Sequence, residues 1–251
     1  MQENVQKSTL LESVRLPVYF ILVLWIIHLL ERLLLLDLGY LGILPREMSG
    51  LRGVLFAPLL HADWTHLFSN TVPFLVLSTI IIYFYPRVAV RAFVMIYLVS
   101  GIAIWSLARP WVYHIGLSYV VYGLVSFVFW NGVFRRSIRA IILSLIVTIL
   151  YSGMFAGMAP TEEVIMRNIS WESHLIGAIV GMFASYYYKE EVEEDEHGTR
   201  AFATEEKQHY FERDLFDKTR EERLQEQLRL EEEQKRIPPS SPFGDWFSSH
   251  T

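Results

Sequence analysis

Apolar residues gather into six long runs separated by short polar or charged breaks, at roughly 16–36, 66–85, 93–108, 116–134, 138–157 and 174–188. Runs of this kind predict membrane-spanning helices, because about 20 helical residues cross about 30 Å of hydrocarbon. Several runs fall somewhat short of that length. Arg87 and Arg91 lie between the second and third runs, and Arg135, Arg136 and Arg139 between the fourth and fifth. Lys189 follows the sixth, and Lys7 and Arg15 precede the first. Basic residues favour the cytoplasmic side, so this alternation predicts an even number of crossings with both termini cytoplasmic.

The opposite connections, 37–65, 109–115 and 158–173, are less basic and carry Trp64, Trp111 and Trp171, which suit a membrane interface. The first is long and half apolar (Leu51, Val54, Leu55, Phe56, Leu59, Leu60), which predicts a segment lying along or dipping into the outer leaflet. His28, Glu31 and Arg32 near the outer end of run one are expected to pair locally or snorkel. Run one is long for a signal sequence and no small-residue cleavage site follows it, so it is expected to remain as a helix.

Composition agrees with a bilayer setting: 52% of residues are hydrophobic and mean hydropathy is +0.28. Charge is unevenly divided, +3 over residues 1–188 and −8 over 189–251, together the net −5. No basic patch for nucleic acid results. The expected organisation is a cytoplasmic segment 1–15, a membrane domain 16–188 and an acidic cytoplasmic tail 189–251. Within the tail, Glu190 to Glu196 reads as a solvated charge run and 203–236 as a charged helix with a partial apolar stripe. Pro238, Pro239 and Pro242 break it. Residues 243–251 suit a docking motif for a cytoplasmic partner, although such ends more often lack fixed structure. Cysteine is absent, which excludes disulfides, thiol nucleophiles and thiolate metal sites.

Strongly polar groups inside spans are costly and point to function. Three constellations meet that description. In His61-Ala62-Asp63-Trp64-Thr65-His66-Leu67-Phe68-Ser69-Asn70, His66 and Asn70 are four apart and share a helix face. In Gly116-Leu117-Ser118, Tyr122 lies one turn below the serine. In Ser173 to Gly181, Gly177 and Gly181 continue the face of His174 and let another helix approach closely. Ser118 lies 17 residues from Arg135, roughly 26 Å, and His174 lies 15 from Lys189, roughly 22 Å. Both are thus expected at similar depth below the outer boundary, in one recessed, wettable pocket with His66 and Asn70.

Such a group can perform acyl transfer: His174 as general base and then acid, Ser118 as nucleophile, His66, Asn70 and nearby N–H groups as oxyanion donors. No acidic residue is placed to orient the imidazole, so a dyad is expected, with Tyr122 stacking on the ring to fix its angle. His61 reads as structural and His114 as interfacial. His61 and His66 are five apart and lack the glutamate of H-E-x-x-H, so neither a metal nor another cofactor is expected.

These residues resemble the rhomboid intramembrane serine proteases. His61, His66 and Asn70 are similar to the family's second-helix pattern H-x-x-x-x-H-x-x-x-N, Gly116-Leu117-Ser118 to G-x-S-G, and His174 to Gly181 to H-x-x-G-x-x-x-G. The resemblance covers about 45 to 188 and respects order and spacing. It implies an all-α, six-helix polytopic bundle in the cell (inner) membrane that cleaves transmembrane protein substrates through Ser118 and His174. By the same resemblance His66 and Asn70 line the oxyanion hole. Tyr119 stands where the family pattern has its second glycine, and Leu51-Arg52 is the nearest match to its Trp-Arg pair. A ring at Tyr119 is expected to narrow the space beside the serine, which leaves an inactive relative that binds membrane clients as the alternative.

Overall fold

The computed structural model describes residues 9–166, 170–191 and 219–236. The chain divides into two compact units, one ending at Ala203 and one beginning at Thr204. Among the described residues there are helices and no strands, only a single antiparallel bridge between Ile43 and His114.

Helix α1 (Leu10–Leu33) starts six residues before the apolar run that predicted it. Its first turn is closed by a capping box. Glu12 donates its N–H to Thr9 Oγ1 at 3.3 Å, and Thr9 N–H donates to the Glu12 carboxylate at 2.7 Å. The following connection folds into short 3-10 turns, Gly39–Leu41, Met48–Arg52 and Ala57–Leu59, and the one-turn α2 (Gly53–Phe56). Then come α3 (Trp64–Phe84) and α4 (Ala89–Leu107). The connection does not float free: it lies against α4. Trp105 Nε1 donates to Glu47 O at 2.8 Å, Tyr97 Oη to Leu55 O at 2.6 Å, and Arg46 to Ala108 O at 3.0 Å. Gly101 of α4 admits Val54, with a notional Cβ only 3.0 Å from its side chain.

Helix α5 (Ser118–Arg135) is the axis of the bundle, with eleven of its eighteen residues buried. It is followed by α6 (Ile138–Leu150), capped by Ser137 accepting from Ala140 N–H at 3.1 Å. The fifth apolar run does not continue to 157 as one helix. At Leu150 it turns by 66° into a 3-10 segment, Ser152–Met158. A short α7 (Glu162–Met166) and α8 (Trp171–Tyr187) complete the membrane unit. Its core joins Leu67 and Leu77 of α3, Ile96 and Ile104 of α4, Leu124 and Phe127 of α5, Val147 of α6 and Ala184 of α8.

Among the described residues three helices, α1, α3 and α4, are long and apolar enough to cross a membrane, and a fourth if α6 and its bent extension count as one. Helices α5 and α8 have 18 and 17 residues and are the more polar and glycine-containing pair at the centre. Shielded by their neighbours, they need not be as apolar as a helix facing lipid. Conversely, Ile142, Leu145 and Ile149 on α6 are exposed, the mark of a lipid-facing stripe. In the second unit α9 (Arg220–Arg236) begins with another capping box, Thr219 with Glu222, and its Leu224, Leu228 and Leu230 are exposed. Residues 192–218 and 237–251, with most of the charge run and the candidate docking motif, lie outside the described residues.

Candidate active site

Ser118 opens α5, and His174 sits in the first turn of α8. Glycines bring the two helices together. A Cβ on Gly177 would lie 2.0 Å from Tyr119 O, and one on Gly181 would lie 2.1 Å from Gly123 O. Backbone thus touches backbone, and the side chains at the helix starts meet: His174 Nε2 is 3.0 Å from Ser118 Oγ.

The other face of the imidazole is equally fixed. His174 Nδ1 lies 3.0 Å from Gly157 O, and the Tyr122 ring stacks on the imidazole at 4.2 Å with 11° between planes. Tyr122 Oη donates to Met154 O at 2.8 Å. Both acceptors belong to the 3-10 segment after α6. In a continuous helix those carbonyls would be occupied by N–H groups four residues on; the break turns them toward α5 and α8. Gly157 is required there, since a Cβ would fall 2.2 Å from Tyr122 Oη. A carbonyl accepts only, so Nδ1 carries the proton and Nε2 is left to accept from the serine.

The loop ahead of Ser118 is anchored at several points. Gly116 has φ +106°, a left-handed conformation suited to glycine, and donates its N–H to Ala57 O at 2.8 Å. A Cβ there would lie 2.5 Å from the His66 ring, so His66 packs directly on this backbone. The Leu117 N–H points to His61 Nε2 at 3.5 Å, and the His61 and His66 rings meet edge to face at 5.1 Å. Burial above all, and then the nearby His66, pushes the His61 pKa down to about 3, which keeps the ring a neutral acceptor.

His66 is held at the start of α3 by its N–H donating to Asp63 Oδ1 at 2.8 Å. Asn70, one turn further, is buried and donates one amide hydrogen to His66 O at 3.0 Å. That bond ties the amide to its own helix and uses one of its two hydrogens. Val120 and Val121 donate their N–H groups to Leu117 O at 3.0 and 3.1 Å, which leaves the Ser118 and Tyr119 N–H groups at the start of α5 as donors beside the serine.

Two features differ from the sequence expectation. Tyr119 is 2% exposed and its hydroxyl has no hydrogen-bond partner among the described residues, so its ring is part of the core. His114, expected to have no chemical role, is buried in the protein, with its Nδ1 against Ser170 and Ser173. The carbonyls of Met154 and Gly157 were not foreseen; the glycines at 153 and 157 were their only signal. Among the described residues no cluster of histidine and carboxylate groups is arranged to hold a metal.

A rhomboid domain model matches residues 49–191, which includes every residue of this site. The chain is 34% identical to proteins of Mycobacterium tuberculosis and Mycobacterium bovis over 172 residues, 66% of this chain and 71% of theirs. It is 33% identical to one of Mycobacterium leprae over 174 residues, 66% of this chain and 68% of that protein. All three are described as uncharacterised. With its apolar helices and this match, the chain is a multi-pass integral membrane protein and belongs to the rhomboid family.

Proposed function

We propose that this protein is an intramembrane serine endopeptidase that hydrolyses peptide bonds in or near transmembrane segments of membrane proteins. The observation that carries the reading is the 3.0 Å approach of Ser118 Oγ to His174 Nε2, with Nδ1 committed to Gly157 O. That tautomer suits a general base. His174 Nε2 takes the hydroxyl proton as Ser118 Oγ attacks the scissile carbonyl, then returns it to the leaving amine. The resulting acyl-enzyme is hydrolysed by a water activated in the same way. Negative charge on the tetrahedral oxygen meets the free N–H groups at the α5 N-terminus, with His66 and the second Asn70 amide hydrogen as further donors. The Gly157 carbonyl takes the orienting place that an acid holds in a triad, and the Tyr122 ring limits rotation.

In this reading α1, α3, α4, α5, α6 and α8 are six crossings of the cell (inner) membrane. Both termini and the acidic tail are cytoplasmic, and the site opens outward. Substrates are single helices whose ends unwind locally at the level of Ser118. The test is cleavage of a single-span substrate by the protein reconstituted in lipid. Ser118→Ala and His174→Ala should each lower turnover by about a thousandfold or more with the fold retained. Cleavage at the wild-type rate by either variant would refute the assignment and leave the client-binding alternative.

A further inference from the structure

A second histidine is engaged by serine hydroxyls, beside the first. His114 is 4% exposed, and its Nδ1 lies 2.5 Å from Ser170 Oγ and 3.1 Å from Ser173 Oγ. The two hydroxyls are 2.6 Å apart. Ser170 is the N-cap residue of α8, yet its side chain caps no backbone N–H of that helix. A serine in that place ordinarily caps a free N–H. Here that hydroxyl is directed to His114 instead. Ser173 immediately precedes His174.

The backbone around His114 is tied down in the other direction. His114 and Ile43 exchange two hydrogen bonds, of 2.9 and 2.8 Å, and Gly116 donates to Ala57 O at 2.8 Å. Four residues after His114 comes Ser118. The ring therefore links the loop that carries Ser118 to the turn that carries His174. An ion pair between Arg109 and Glu172 joins the same two elements. Burial lowers the pKa of His114, so at neutral pH the ring is neutral and Nδ1 is available as an acceptor. A chain from Ser173 hydroxyl to Ser170 Oγ, and from Ser170 hydroxyl to Nδ1, satisfies both hydroxyls and Nδ1, and leaves the buried Nε2 N–H without a hydrogen-bond partner among the described residues.

We propose that His114, acting through Ser170 and Ser173, is a positioning residue that sets the start of α8 and so holds the His174 ring opposite Ser118. Its kinetic consequence rests on the protease reading above; the link itself does not. An asparagine can replace it in part, because Oδ1 falls near the place of Nδ1, whereas phenylalanine fills the volume without accepting.

The experiment compares His114→Phe, His114→Asn and Ser170→Ala/Ser173→Ala in the full chain in detergent micelles. The activity-independent readout is the nitrogen NMR spectrum of 15N-histidine-labelled protein, with the His174 ring signals assigned by their loss in His174→Gln. His114→Phe and the double serine variant should shift or broaden those signals, and His114→Asn should restore them. The second readout is the rate at which a fluorophosphonate labels Ser118. It should fall about 10- to 100-fold in His114→Phe and recover to within about threefold in His114→Asn, with the loss of substrate turnover in kcat rather than KM. Unchanged His174 signals in His114→Phe would overturn the proposal, as would His114→Asn behaving no better than His114→Phe in the spectrum. Absence of labelling in the wild-type protein would count against the protease reading alone, and the spectra would still decide the link.

Discussion

Between Ser118 and His174 the 3.0 Å separation depends on residues that carry no reactive group. Gly177 lets the helices touch, Gly116 turns the chain into α5, and Gly157 supplies a carbonyl to Nδ1. The reactive pair and the His66, Asn70 face were legible in the sequence because polar side chains are rare in apolar runs and their spacing is informative. The Gly157 and Met154 carbonyls were not, since every residue has a carbonyl and only the local backbone decides which are free. Tyr119 shows the opposite limit. Its position in the motif suggested a ring beside the serine, whereas helix rotation puts that ring in the core. Tyr119→Gly should therefore destabilise the protein by about 3–5 kcal/mol, as other losses of a buried aromatic do. Tyr119→Phe, which removes only an unpartnered hydroxyl, should stay within about 1 kcal/mol. Thermal unfolding in detergent checks both. A Tyr119→Gly protein that is as stable as wild type and turns over faster would return the ring to the substrate pocket.

Helix by helix, each of the six apolar runs holds a helix, because hydrophobic length is a strong signal. The ends were less legible. The start of α1 was marked by Thr9 and Glu12, a capping box that the apolar run alone could not reveal. The fifth run broke at Leu150 although it stays mostly apolar through Met158; Ser152 and Gly153 weaken the helix there, and the bend is held by partners on α5 and α8. The pairing of α5 with α8 is the contact most sensitive to a single methyl group. Gly177→Ala should lower stability by about 1–3 kcal/mol and slow turnover more than tenfold, since its Cβ would sit 2.0 Å from Tyr119 O. Gly153→Ala is the matched control: its Cβ would meet nothing within 4 Å, and both unfolding temperature and turnover should hold. Equal effects in the two variants would mean that the close approach of α5 and α8 is not what places His174.

For the whole molecule, the arrangement proposed in the bilayer rests on charge rather than on packing. Arg87, Arg135, Arg136, Arg139 and Lys189 are assigned to one side, and the tryptophan-bearing connections to the other. The chain has no cysteine, so single cysteines report on sidedness without background. In intact cells an impermeant maleimide should label Val112→Cys and Thr161→Cys, and should reach Pro86→Cys and Lys189→Cys only after lysis. The reverse pattern would invert the topology and close the site to the outside. The account as a whole turns on the reactivity of one hydroxyl. The direct measurement is mass spectrometry of the folded, full-length protein after reaction with a fluorophosphonate. The expected result is one covalent adduct on Ser118 that disappears in Ser118→Ala and is nearly lost in His174→Ala. A folded protein with no adduct on Ser118, or one labelled equally well without His174, would contradict it.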